Sequence, residues 1–307
     1  MSPFGDIFGT PQERKKQYRS KYIQFVNQSV NWERLNNGGY PKMGKWKNAP
    51  VVYVIVQVRF SPILSLQTYV SEIQEHFRRN GFPAFSQRFN FQLGLSVLPP
   101  ANAEPAASPI PVERTLGYVF SNRDSSQTFV LEQNGLTFHV TDYEDFRWFL
   151  DLFLKQLGHI NEVVKPDLSE RIGLRYFDAV LPREGARIQD YLIPQVLGLS
   201  QEPPEGSLQH AFSETMFRNG DTSTVSRVLV REGQIAFPPD LVSFPISINP
   251  RFASHVGPHA TIDTDSSQQI RSEMDLSKVR STLEGLHKSV DQAFHTVVTD
   301  FALSDWK

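Results

Sequence analysis

The run VVYVIVQVRF, Val51 to Phe60, constrains what this chain can fold into more than any other segment. Valine, isoleucine and tyrosine fill both faces of its first half. Such a strand is at home only in the interior of a sheet, with strands on both sides and cover on both surfaces. The chain must therefore build a sheet around residues 51–60.

The flanking sequence supplies the strands and the cover. Leu66, Tyr69, Val70, Ile73 and Phe77 recur at helical spacing, and Gly81 is a suitable stop. Further strands are expected over 85–97, 114–121, 128–132 and 136–141, the last two joined through Asn134-Gly135, a strong hairpin signal. The loop Pro99 to Pro111 between the first two carries five prolines. Thr141 or Asp142 is positioned to cap a second helix, with Phe146, Phe149, Leu150, Phe153 and Leu157 on one face and an end near Gly158. Strand 171–180 closes this half. A short helical stretch near 188–197 follows, then strands over 209–217, 224–232, 241–248 and 260–265. A long helix striped by Leu276, Val279, Leu283, Leu286, Val290, Phe294, Val297 and Phe301 ends the chain. The expected class is α+β. Two similar halves, 49–182 and 183–307, each run antiparallel strands into a Phe/Leu-striped helix, in a hot-dog-like or a ferredoxin-like arrangement. The 23 phenylalanines among 307 residues suit thick packing between sheet and helix.

Charge divides the chain unevenly. Residues 1–48 hold nine Lys/Arg and three Asp/Glu, a net of +6, which leaves 22 basic and 30 acidic residues for 49–307, a net of −8. Thr10, Pro11 and Glu13 form a helix start, behind which Tyr18, Tyr22, Phe25 and Val26 make one stripe among Arg14, Lys15, Lys16, Arg19 and Lys21. Residues 1–48 thus read as a basic, aromatic arm and linker. The absence of cysteine excludes disulfides, thiolate-bound zinc, iron–sulfur clusters and thiol catalysis. No apolar run reaches the roughly 18 residues of a membrane span, and the first residues carry no secretory h-region. A cytoplasmic protein without a membrane partner is the expectation.

Three segments, APVVYVIVQVRFSP from Ala49, RIGLRYFDAVLP from Arg171 and LEGLHKSVDQAFHTVVTDF from Leu283, together resemble a family of uncharacterised bacterial and archaeal proteins. That family is sporadically distributed and has an α+β body of about this size. The similarity covers roughly 49–307; RIGLRY is its most specific part, and the last helix carries the Leu286-His287 pair of the family body. The resemblance implies no activity. It does imply that the arm is an addition to the family body, and that the gene belongs with mobile, phage-defence-type cassettes.

Four groups of residues carry chemistry. Arg59, Arg171 and Arg175 fall on strands opposite apolar positions, so that they converge on a phosphate- or carboxylate-binding patch if the two strands are neighbours. Ion pairing with Glu or Asp across the open sheet face is the ordinary alternative. His255, His259, Asp263 and Asp265 are weak candidate metal ligands, with both aspartates on one strand face, but the loose spacing favours no metal site. His139 and His287 are of the type used in acid–base catalysis, and read better as packed histidines. No nucleotide, serine-elbow or zinc-protease motif is present, and no cofactor is expected. The remaining candidates are the arm residues Arg14, Lys15, Lys16, Tyr18, Arg19, Tyr22 and Phe25. They suit contact with a protein partner or a second copy through charge and aromatic burial. The leading expectation is a non-enzymatic binding or assembly component. A hydrolase or phosphoesterase, sited at His255–Asp265 or between the halves, is the alternative. A nucleic-acid binder using the arm and the strand arginines is the second.

Overall fold

The computed structural model describes residues 48–93, 112–202, 205–238, 241 and 246–307. The chain divides into two compact units, 1–41 and 42–307. The described residues belong to the second, and the arm residues named above lie outside them.

The described strands form one antiparallel sheet of nine. In chain order they are β1 (Val51–Phe60), β2 (Ala84–Leu93), β3 (Val112–Ser121), β4 (Gln127–Glu132), β5 (Gly135–Val140), β6 (Leu168–Val180), β7 (His210–Asn219), β8 (Thr222–Gln234) and β9 (Val256–Glu273). Across the sheet the order is β2-β3-β4-β5-β1-β6-β9-β8-β7, which seats β1 in the centre between β5 and β6. Three long helices, α1 (Val70–Arg79), α2 (Phe146–Val163) and the penultimate one (Leu276–Val297), share one apolar core with Val54, Val56, Val58, Phe60, Ile172, Leu174 and Tyr176. They therefore cover a single face. That core is aromatic: Phe77 stacks on Phe120 at 4.3 Å between centroids and Phe129 on Phe138 at 4.0 Å. Four short helices complete the set, α3 (Ile188–Tyr191), α4 (Pro194–Leu197), α5 (Pro250–Ala253) and α7 (Asp300–Asp305), so that Leu276–Val297 is α6.

Local chemistry departs from the sequence reading at five places. The β4–β5 hairpin turns on Gln133-Asn134, because Glu132 pairs with Gly135, which is already strand. Gly135 serves a different need: a Cβ there would come within 3.0 Å of the Val58 carbonyl on β1. Asp145, rather than Thr141 or Asp142, caps α2, its Oδ1 accepting from the Trp148 amide at 2.9 Å. The helix runs through Gly158 to Val163, so the glycine does not end it; a Cβ there would make only an ordinary contact with Leu276 at 3.6 Å. The C-terminal helix breaks after Val297. Val298 is extended and bridges Leu192, and Thr299 starts α7 by capping Ala302.

The fifth departure governs the uncovered face. Leu241 lies in a turn and 246–249 join no strand, so the strand expected over 241–248 is not found at its described residues. Pro245 within the run cannot donate to a ladder. The segment instead crosses the second sheet face, where Ile235, Phe237, Leu241, Ile246, Ile248 and Phe252 pack on Val52, Tyr53, Phe177 and Ala179. The Ser247 amide donates to the Ser125 carbonyl at 2.8 Å, fixing the crossing to the β3–β4 loop. One end of this face is thus apolar and covered, leaving its other end polar.

Candidate functional site

The polar end of that face is built from β1, β6, β9 and β8. β1 and β6 are antiparallel neighbours with Arg59 opposite Arg171 and Ile55 opposite Arg175. Since alternate residues of both strands point into the helix-covered core, Gln57, Arg59, Arg171 and Arg175 point the other way. The three arginines expected to converge do share one face of adjacent strands. The RIGLRY segment is legible in this geometry. Ile172, Leu174 and Tyr176 supply the core, and Arg171 and Arg175 the outer face. A Cβ on Gly173 would lie 2.8 Å from Arg171 Nη1. The glycine leaves room for the guanidinium of Arg171 to lie across its own strand.

Aspartates of β9 answer two of the three. Arg175 binds Asp263 in a bidentate fork, and Arg227 of β8 lies 3.8 Å from the same carboxylate while donating to Glu214 of β7 at 2.6 Å. Arg171 donates to Gln57 Oε1 at 3.1 Å and approaches Asp265 at 3.8 Å; Gln57 in turn donates to Thr137 at 3.1 Å. Burial pushes the Asp265 carboxyl up, against the opposing pull of Arg171 and Arg175. Alternating charges therefore run from β6 through β9 and β8 to β7, and the ladder is largely self-neutralised. Arg59 is exposed and makes no hydrogen bond or ion pair among the described residues.

The four candidate metal ligands are divided between two places. Asp263 and Asp265 share the open face, as their spacing requires, but Arg175 occupies Asp263. His255 and His259 pack against each other at the start of β9, edge to face at 5.5 Å. His259 is fully buried, its Nδ1 lies 3.0 Å from the Gly257 carbonyl, and burial pushes its pKa down. Among the described residues no group of three or more histidine and carboxylate side chains is placed to hold a metal ion.

His139 and His287 are packed histidines. His139 lies 3.1 Å from the Tyr53 hydroxyl, and burial followed by the charge of Arg88 pushes its pKa down to about 3. His287 stacks on Phe146 at 3.9 Å and lies 3.5 Å from the Tyr176 hydroxyl. Burial brings it down to about 4, with Asp291 opposing.

Sequence reasoning missed the polar groups around His287. The hydroxyls of Tyr143 and Tyr176 hydrogen-bond at 2.8 Å, and burial raises the pKa of both. Asp178, two residues along β6 from Tyr176, is buried, and its Oδ1 accepts no hydrogen bond among the described residues. Burial, then the charge of Asp263, pushes its carboxyl up to about 8. The available signal was a carboxylate at the core-facing phase of a strand, Ile172-x-Leu174-x-Tyr176-x-Asp178.

No family model matches the chain, and no curated protein or solved structure is significantly similar to it. No helix among the described residues is long and apolar enough to cross a membrane.

Proposed function

We propose that this chain is a non-enzymatic binding or assembly component, and that its basic arm engages a protein partner or another subunit. One observation carries the reading. The open-face and histidine candidates are held within the body, Arg175 by Asp263, His139 beside the Tyr53 hydroxyl and His287 stacked on Phe146 beside the Tyr176 hydroxyl, while Asp178 is buried away from the open face. The hydrolase alternative would need Asp263 free for substrate or metal, and Arg175 holds it. The opposite net charges of 1–48 and 49–307 favour an arm that meets an acidic protein surface. We read the protein as cytoplasmic and, through its resemblance to the sporadically distributed family, as part of a mobile, phage-defence-type cassette.

We further read the body as two related halves, divided before β6 rather than near 182, so that β6 opens the second half instead of closing the first. Outward from the centre the strands run β1, β5, β4, β3, β2 on one side and β6, β9, β8, β7 on the other. Each half places its first strand centrally and its last strand beside it, then adds a long helix. With the long helices on one face of an open sheet, the ferredoxin-like comparison is nearer than a sheet curled round one helix.

Removing the arm tests the functional reading. The cut belongs before Asn48, whose amide donates to the Trp306 carbonyl at 3.1 Å and whose carbonyl accepts from Arg251. The expected result is cooperative unfolding of 48–307, together with loss of the partner or higher-order assembly seen by light scattering and pull-down. Charge reversal at Arg14, Lys15, Lys16 and Arg19 should mainly slow association, and Tyr22→Ala with Phe25→Ala should speed dissociation. Unchanged assembly without the arm, or non-cooperative unfolding, sinks the reading.

A further inference from the structure

We propose that β7 is a homotypic interface along which two copies of this chain pair antiparallel, Met216 of each on the twofold axis and Glu214 of each opposite Arg218 of the partner subunit. This goes beyond the arm reading and uses none of its residues.

β7 is the last strand of the sheet and runs ten residues without proline or a register shift. Natural edges are blunted by shortness, bulges, proline or cover, because a bare edge offers unpaired backbone to another strand. Among the described residues β7 is neither short nor bulged and has no proline; the segments Pro194–Leu197 and Gly198–Ser200 lie beside it, and its two charges, Glu214 and Arg218, are of opposite sign. It also concentrates apolar exposure: Phe212, Met216 and Phe217 are 58%, 61% and 40% exposed, three of the seven large apolar side chains so exposed in the described body.

The hairpin geometry says which backbone groups are free. Asn219 pairs with Thr222 across the two-residue turn Gly220-Asp221, whose glycine has φ +56°. The residues flanking such a turn form a hydrogen-bonded pair, so Asn219, Phe217, Thr215, Ser213 and Ala211 bond inward to β8. His210, Phe212, Glu214, Met216 and Arg218 therefore turn their amides and carbonyls outward. A second copy can pair only by matching this outward set to its own.

Charge selects the register. With Met216 on the axis, Met216 meets Met216 and Glu214 meets Arg218 twice, each an outward pair exchanging both backbone hydrogen bonds. Thr215 then lies beside Phe217 of the partner subunit. A two-residue slip sets Glu214 against Met216 and Arg218 against Phe212, and a four-residue slip sets Glu214 against Glu214. Opposed like charges are penalised across strands, and opposite charges are favoured. Arg218 has no ion pair among the described residues, while Glu214 is held by Arg227, which also faces Asp263. The partner subunit's Arg218 would complete the outer end of the charge ladder.

The cysteine-free sequence makes the test specific to position. The full-length protein should be a dimer by sedimentation equilibrium. Met216→Cys should crosslink to the covalent dimer under mild oxidation, because the opposed residues of a hydrogen-bonded antiparallel pair stand about 5.5 Å apart at Cα, within disulfide reach. Arg218→Glu should weaken the dimer roughly tenfold or more, and adding Glu214→Arg should restore it. A monomer at every concentration tried overturns the proposal. So does a dimer in which the thiol introduced at 216 stays reduced, or one that crosslinks through Glu214→Cys instead. Arm-mediated assembly alone would leave the thiol at 216 reduced, so the two interfaces fail separately.

Discussion

Arg175 stands opposite Asp265 in the β6–β9 ladder yet binds Asp263, two pairs further along on the same face, with Nε–Oδ1 at 2.6 Å and Nη2–Oδ2 at 2.7 Å. The diagonal reach makes Asp263 the junction of two arginines, and both partners of the fork are largely buried. Asp263→Ala should strand the Arg175 guanidinium in a low-dielectric site and cost about 3 kcal/mol. Replacing both members, Arg175→Met with Asp263→Leu, should recover most of that loss. Urea denaturation midpoints of the two variants decide it.

Gly173 is the second point at which the open face is sensitive to a single atom. Gly173→Ala puts a methyl where the Arg171 guanidinium lies and should cost on the order of 1 kcal/mol. In an Arg171→Ala background the obstacle is gone, and alanine should be neutral or stabilising, because glycine weakens a strand interior. A double-mutant cycle reads the coupling directly. Equal costs in both backgrounds would place the strain in the backbone.

Asp178 should make the body less stable toward alkaline pH. Its carboxyl moves from an ordinary value of 3.8 to about 8 when folded, with burial the main cause. Below pH 4 the group is protonated in both states. Between 4 and 8 the unfolded chain ionises it while the folded chain keeps the proton, so stability falls as pH rises, and the loss is complete above 8. Asp178→Asn should flatten this slope and raise the thermal midpoint at pH 8 more than at pH 5.

The packed histidines act at the acid end. His287, lowered from 6.5 to about 4, and His139, lowered to about 3, are neutral in the folded state and charge on unfolding. Their contribution is fully present above pH 6.5 and is lost as pH falls toward 4. His287→Phe keeps the stack on Phe146 and should remove that residue's share of the acid slope. Thermal midpoints between pH 4 and 7 check it.

What could be read from sequence was what depends on local pattern. The apolar faces of 51–60, the striped helices and the phase of RIGLRY each follow from a period of two or 3.6, and so did the common face of Arg59, Arg171 and Arg175. What could not be read depends on register between distant strands. Nothing local says that Asp263, 88 residues from Arg175, arrives two pairs along from it on the same face. Turn and cap errors had a different origin, since Asn134-Gly135 and Asp142 are sound local signals. Gly135 was needed against Val58, and Asp145 stood nearer the first helical turn. The arm residues, with the whole of 1–47, lie outside the described structure.

The bond from the Asn48 amide to the Trp306 carbonyl brings the two ends of the described body to one spot. A body whose ends touch can be re-threaded: a short linker from 306 to 48 would close the chain, and new ends could be opened at the exposed Gly220-Asp221 turn without breaking a strand. Force applied through residues 48 and 306 would therefore not be shared along the sheet. It would act first on this junction and on the Arg251 bonds to the Asn48 and Ala49 carbonyls, and then on the central strand β1 that begins three residues later.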